Sequence, residues 1–253
     1  MKTGDHRMKS DSPDLGEQAL SKVAEVGISS QLDDVENLSV DIRTNPGKLL
    51  QGEVDSVAIS GKGVVMKQDL RMESLDVQTT KVSINPLSAL FGNIELDRPA
   101  NADAQIVLTE DDLNRALASD YLSSKLQGLK LEVEQQAHTV ELRQATIHLL
   151  DGGTMSLNID FLLQESNEAK SISAMVIPKI KTDGQKIDLE ILSVQGQGLN
   201  PELGAALLKQ ITTLLDLGNF DMPGMSLWLQ RFDIQAGRMI IHATTQIERI
   251  PNF

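Results

Sequence analysis

A nine-residue run in which apolar and polar side chains alternate constrains the fold more than any other feature of this sequence. In residues 155–163 every odd-numbered side chain is apolar, and the side chains between them are mostly polar. Successive side chains of a strand point to opposite faces, so this run predicts a sheet with one apolar and one polar face. Similar alternation in residues 140–150, 172–180 and 187–194 extends the prediction to several neighbouring strands.

Helix signals occur at three places. Ser12-Pro13 predicts an N-cap followed by proline in the first turn, with Gly27 as the end of that helix. Thr109, with Asp112 three residues later, predicts a capping-box start for a second helix. Asn200-Pro201 predicts the start of a third, whose apolar stripe requires a covering surface.

Tight turns separate the later strands. Asp151-Gly152-Gly153 and Asp183-Gly184 lie where hairpins require positive φ. Strands and helices do not alternate as in a doubly wound sheet, so the predicted class is α+β, with long antiparallel meanders and a few long amphipathic helices lying against them. We expect residues 1–11 to form a flexible arm and residues 12–253 to form a single domain, with a subdomain seam near residues 108–110.

Charge and composition exclude several functions. The chain has 23 Lys and Arg against 36 Asp and Glu, a net charge of −13, which disfavours binding to nucleic acid and electrostatic adsorption to anionic bilayers. The absence of cysteine excludes disulfides, thiol nucleophiles and cysteine-ligated metals. No apolar run approaches the ~20 residues of a membrane-spanning helix, and no signal peptide is visible, so we expect a cytoplasmic location, with peripheral membrane contact at most.

No residue pattern in the sequence predicts catalysis. The four histidines, His6, His138, His148 and His242, lack metal-ligand spacing. The segment around Ser60 lacks the first glycine of a nucleophile elbow. We therefore expect no catalytic site, metal or cofactor; an enzyme with an Asp/Glu pair stays an alternative that no spacing predicts.

The apolar stripes identify the side chains that would contact a ligand between sheet and helices. Aromatic residues make up only 3 % of the chain, which favours an aliphatic ligand over a base or a sugar, although an aromatic-poor core explains the same composition. The stripes would look the same if they formed ordinary core. The predicted lining consists of Leu113, Leu117, Tyr121, Leu157, Ile159, Phe161, Leu207, Ile211 and Leu214.

Two connecting segments, residues 87–92 and 217–225, are apolar where loops are normally polar. They would contact a membrane or form the rim of a pocket if exposed, and fill the core if folded inward. The residues in question are Leu87, Leu90, Phe91, Leu217, Phe220, Met222 and Met225.

Three segments carry a resemblance to a known family. Ile106 to Leu117, Ser83 to Leu87 and Val57 to Gly61 resemble the LmeA-like family, long catalogued as a domain of unknown function. The likeness spans about residues 14–250, and Leu-Thr-Glu-x-Asp-Leu-Asn-Arg-Ala-Leu is its most specific part. Because no signal or anchor like those of the exported members is visible, we do not expect an envelope role.

The resemblance implies a non-catalytic phospholipid-binding protein similar in fold to the tubular lipid-binding proteins, in which a curved antiparallel sheet wraps a long helix and encloses acyl chains. We therefore expect binding, and also transfer, of a phospholipid or similar long-chain amphiphile in an apolar groove between sheet and helices. The alternative is an acidic protein-interaction or assembly module with a solid core and no small ligand.

Overall fold

The computed structural model describes residues 15–66, 69–85, 96–196, 200–214 and 224–248. These residues form eleven strands and five helices. The strands are β1 (Asn37–Arg43), β2 (Glu53–Met66), β3 (Leu70–Ser83), β4 (Ala100–Thr109), β5 (Leu129–Val133), β6 (Gln136–Leu150), β7 (Thr154–Leu163), β8 (Glu168–Ile180), β9 (Ile187–Gln195), β10 (Met225–Gln235) and β11 (Arg238–Ile247). The helices are α1 (Leu15–Ser29), α2 (Pro46–Leu49), α3 (Glu110–Ala118), α4 (Asp120–Lys125) and α5 (Pro201–Leu214).

The strands form two antiparallel sheets. Sheet 1 has the order β1-β2-β3-β4-β11-β10, and sheet 2 is the meander β5-β6-β7-β8-β9. The chain leaves sheet 1 after β4, enters sheet 2 through α3 and α4, and returns to sheet 1 after α5. The predicted α+β class with antiparallel sheets is confirmed, while the division into subdomains near residues 108–110 stays a prediction.

Sheet 2 curls into a half-barrel around α5. The helix contacts both edge strands of this sheet, β5 and β9. Its side chains Leu203, Leu207 and Leu208 are buried in one cluster with Phe161 and Val176 from the inner face of the sheet. We call this cluster core 1; it also includes Ile234 and Met239 from the β10–β11 hairpin and therefore joins the two sheets.

A second cluster, core 2, lies at the other end of sheet 1. Ala24 of α1 packs with Val40 and Ile42 of β1, and the cluster continues to Val82 and Ala100. Apolar burial therefore anchors α1 to the edge of sheet 1.

The prediction of long amphipathic helices is wrong. The longest helix within the described ranges has 15 residues, and the predicted second helix is divided into α3 and α4 at Ser119. The backbone of Ser119 is extended, and its hydroxyl accepts a hydrogen bond from the N–H of Leu122. Serine competes with the helical backbone in this way, so Ser119 ends one helix and caps the next.

The predicted end of α1 is also wrong, because the helix continues through Gly27 to Ser29. The Cα of Gly27 faces open space, and the next residue, Ile28, packs against core 2. Burial of Ile28 favours the extra turn, and glycine only weakens it.

Both predicted hairpin turns are confirmed. Gly152 and Gly153 have φ of 79° between β6 and β7, and Gly184 has φ of 69° between β8 and β9. Such φ values favour glycine, so these positions fix two of the four reversals of sheet 2. The other two lie at Glu134-Gln135 and at Asn167, which also have positive φ.

Helix α1 also covers the outer edge of β1. Three polar side chains, spaced four residues apart on one face of the helix, accept hydrogen bonds from alternate backbone N–H groups at this edge. The pairs are Glu17 with Thr44 (2.8 Å), Ser21 with Ile42 (3.1 Å) and Glu25 with Val40 (3.3 Å).

Candidate functional site

The central members of the predicted lining lie in core 1. Leu157, Ile159 and Phe161 on β7 are 7 %, 4 % and 1 % exposed, and Leu207 on α5 is fully buried. All four belong to the same packed cluster. The structure therefore brings these residues together, with protein side chains as their neighbours, and their role in contacting a ligand stays a prediction.

Other members of the predicted lining lie at the margin of this cluster or away from it. Leu113 and Ile211 are partly buried and pack against core 1. Leu117 and Tyr121 are partly exposed on α3 and α4, and the ammonium of Lys125 lies 4.9 Å from the centroid of the Tyr121 ring.

Most of the predicted loop residues lie outside the described residues. Met225 is the first residue of β10, where it pairs with Ile247 and is partly exposed. The side chain of Leu214 lies outside the described residues. So do six of the predicted loop residues, which are Leu87, Leu90, Phe91, Leu217, Phe220 and Met222.

Asp112 is the centre of a polar joint between α3 and sheet 1. Its side chain is 2 % exposed and accepts hydrogen bonds from the N–H (2.8 Å) and hydroxyl (2.7 Å) of Thr109 and from Arg71 (2.7 Å). Burial raises the pKa of this carboxyl, but the hydrogen bonds from Thr109 and Arg71 outweigh it and hold the pKa below its usual value. The predicted capping box is present, and the ion pair secures it to β3.

The same helix covers an edge of β6. Strand β5 pairs only with the first five residues of β6, as far as Val140. Beyond that point the Asn114 amide accepts from the N–H of Ile147 (2.8 Å) and donates to its carbonyl (2.9 Å), as a neighbouring strand would. Glu110 accepts from the N–H of Leu149 (2.8 Å), whose carbonyl receives the N–H of Gly237 (3.0 Å).

The most specific segment of the resemblance, Leu108 to Leu117, is therefore a structural joint. Glu110 and Asn114 bind sheet 2, Asp112 binds Arg71 of sheet 1, and Arg115 pairs with Asp69 beside β3. These contacts explain the polar residues of the segment without a ligand.

Sequence reasoning missed a partly exposed apolar surface on sheet 1. One face of this sheet is polar across its middle, whereas the other carries aliphatic side chains in register. Leu75 and Val77 on β3 and Ala104 and Ile106 on β4 are partly exposed and belong to neither core. The alternation in residues 74–79 was the available signal for an apolar face on β3. The pairing of β4 with β11, more than 130 positions later, could not be predicted from the sequence.

A groove of about 360 Å³ lies on the outer face of sheet 2, opposite core 1. Five of its seven lining residues are polar, among them Ser156, Ser173 and Ser193, and the other two are Met175 and Leu150. Acyl chains favour apolar walls, so these polar side chains make the groove less suited to an acyl chain than the aliphatic face of sheet 1. Within the described ranges, no group of three or more His, Asp or Glu side chains could hold a metal ion, and no helix is long and apolar enough to cross a membrane.

Comparison with known families decides the classification. The LmeA-like phospholipid-binding family matches residues 13–244 of this 253-residue chain. The chain belongs to the LmeA-like phospholipid-binding family. The match covers all of sheet 2 and sheet 1 as far as residue 244 in β11, and it confirms the resemblance inferred from residues 106–117. Neither the curated proteins nor the solved structures gave a match.

Proposed function

We propose that this LmeA-like protein binds a phospholipid or a similar long-chain amphiphile without catalysing a reaction on it, and that it transfers the lipid between membranes. Membership of a phospholipid-binding family supports the ligand class. The observation that carries the proposal is the partly exposed apolar face of sheet 1, since aliphatic side chains in this position leave surface for hydrocarbon to cover.

The hydrophobic effect gives the scale of the interaction. Removing a methylene group from water contributes roughly 0.8 kcal/mol, so about eight methylenes on this face contribute about 6 kcal/mol before the costs of association are subtracted. The headgroup would remain in water. The net charge of −13 opposes adsorption to an anionic surface, so membrane contact would be peripheral and would use apolar side chains.

A groove closed by helices, as in the tubular lipid-binding proteins, is a further proposal. The curl of sheet 2 around α5 supports this comparison, because both edge strands of the sheet contact the helix. A lipid between α5 and β7 would have to separate side chains such as Leu207 and Phe161, which are now almost completely buried. Lipid entry there would therefore require α5 to move.

The second candidate function is an acidic interaction module with no small ligand. The observation that favours it is the dense burial of core 1, where Leu207, Leu208 and Phe161 are at most 1 % exposed. Such a protein would present its charged surface to a partner and retain a solid interior.

Lipid analysis of the purified chain separates the two candidates. The protein is extracted with organic solvent, and the extract is analysed by mass spectrometry beside an acidic, lipid-free control protein purified in parallel. A delipidated sample is then incubated with phosphatidylcholine vesicles, reisolated and analysed again. We expect stoichiometric phospholipid in at least one preparation. Two empty preparations would refute lipid binding and favour the interaction module.

A further inference from the structure

We infer that the acyl chain lies across the apolar face of sheet 1, on a strip formed by the middle residues of β2, β3, β4 and β11. This inference rests on the proposed function and names its site. The strip comprises Ile59, Leu75, Val77, Ala104, Ile106 and Ile241.

The register of sheet 1 makes the strip continuous. Leu75 is directly opposite Gly61 on one side and Ile106 on the other, and Ile106 is opposite Ile241. In the next row Val77 lies between Ile59 and Ala104. With Leu38 and Phe232 at its ends, the first row crosses six strands, or about 24 Å along the sheet at about 4.8 Å between strands.

The strip is more accessible than the two cores that flank it. Its β3 and β4 members belong to neither core, and Ile59 and Ile241 only pack against the cores' margins. The extensive helix contacts of sheet 1 lie at its borders, where α1 packs against β1 and α3 packs against β3 near Arg71. A chain could therefore lie on the strip with the described helices where they are.

The chemistry of the strip selects hydrocarbon over other occupants. Its side chains are aliphatic, and neither row contains a hydrogen-bonding or charged side chain. A folded protein partner would require polar groups to fix its orientation, whereas an acyl chain requires only apolar contact. Along β3 the same face continues to Glu73 and Arg71, which are charged and end the strip. A charged border therefore runs along one side of the strip, beside the bound chain.

Photocrosslinking locates the site in the unmodified protein. Phosphatidylcholine with a diazirine in one acyl chain is loaded from vesicles, and crosslinked peptides are identified after irradiation and proteolysis. We expect the label in β2, β3, β4 and β11. Bound lipid with crosslinks confined to α5 and β7 would overturn this site and leave the proposed function intact. Failure to take up any lipid would refute the proposed function itself.

Two adjacent substitutions provide a matched test. Ala104→Trp fills the strip, whereas Gln105→Trp places the same side chain on the opposite, polar face of β4. We expect at least a tenfold loss of loaded lipid for Ala104→Trp and no change for Gln105→Trp. Unchanged loading in both variants would contradict the inference. If Ala104→Trp does not fold, the crosslinking pattern of the wild-type chain decides.

Discussion

Removing the carboxylate of Asp112 should destabilise the whole protein, because this side chain joins α3 to sheet 1. In Asp112→Ala the backbone N–H and hydroxyl of Thr109 lose their acceptor, and Arg71 loses its shortest ion pair. Loss of the Asp112 half of the capping box costs about 1 kcal/mol, while Thr109 stays as the N-cap. Breaking a buried ion pair costs about 3–5 kcal/mol.

The cost of breaking the Asp112–Arg71 ion pair is smaller than this, because Arg71 is 22 % exposed and keeps its contacts with Glu36 and Glu73, each at 3.2 Å. We therefore expect a total loss of about 3 kcal/mol in the free energy of unfolding. For a chain of this size that loss lowers the melting temperature by roughly 6–12 °C.

Urea unfolding followed by circular dichroism and by the fluorescence of Trp228, the single tryptophan, measures this loss. Asp111→Ala is the matched control, since Asp111 is the preceding residue and exposed, and should cost about 0.5 kcal/mol through the helix dipole. Asp112→Asn, which keeps an acceptor but no charge, should fall between the two. A cost below about 1 kcal/mol for Asp112→Ala would show that the joint does not secure α3.

Three further outcomes follow from the geometry. Asn114→Leu should leave the N–H and carbonyl of Ile147 without a partner and lower the free energy of unfolding by about 1–3 kcal/mol. Hydrogen exchange at the Ile147 amide should become faster, and unchanged exchange would contradict the strand-like pairing. Gly184→Ala should cost more than Gly152→Ala, because both have positive φ but only Gly184 would bring its new Cβ to 3.2 Å from the carbonyl oxygen of Leu229; equal unfolding midpoints would refute this. The hydrogen bond from the N–H of Leu149 lowers the pKa of Glu110 below its usual 4.5. The ionised carboxylate therefore stabilises the protein above pH 4.5, and this stabilisation is lost as the pH falls through the pKa of Glu110 in the folded protein. Glu110→Gln should reduce this acid-side loss in a series of unfolding experiments at different pH.

Local features of this fold were readable from the sequence. The capping box at Thr109 and Asp112 was predicted because the interacting groups are three residues apart. The turns at Gly152 and Gly184 were predicted because a positive φ restricts the residue type. Sheet 2 is a meander of consecutive strands, and these two turns account for two of its four reversals.

Long-range features were not readable. Sheet 1 pairs β4 with β11, and no local signal gives the partner of a strand so far along the chain. The division at Ser119 was missed because Ala116, Leu117 and Tyr121 suggested one continuous helical stripe. In the structure the hydroxyl of Ser119 caps a new helix and so interrupts that stripe. Glu17, Ser21 and Glu25 were missed as edge-covering residues because their spacing also suits a solvated helix face.

The candidate site shows the same difference between local features, which could be predicted, and long-range features, which could not. The alternation identified which side chains of β7 face inward, and the structure places them in core 1. Alternation alone does not tell whether an inward face is covered by protein, and this depends on where α5 and α1 pack. The accessible face therefore became visible only with the assembled sheets.

The cover that α1 and α3 give to strand edges has a consequence for self-association. A protein with an accessible aliphatic surface is prone to self-association. A common route is the addition of a strand from a second copy to an unpaired sheet edge. Here side chains already satisfy the N–H groups of Thr44, Ile42, Val40 and Ile147. A second copy would find few free donors at these two borders, so the addition of a strand there is disfavoured.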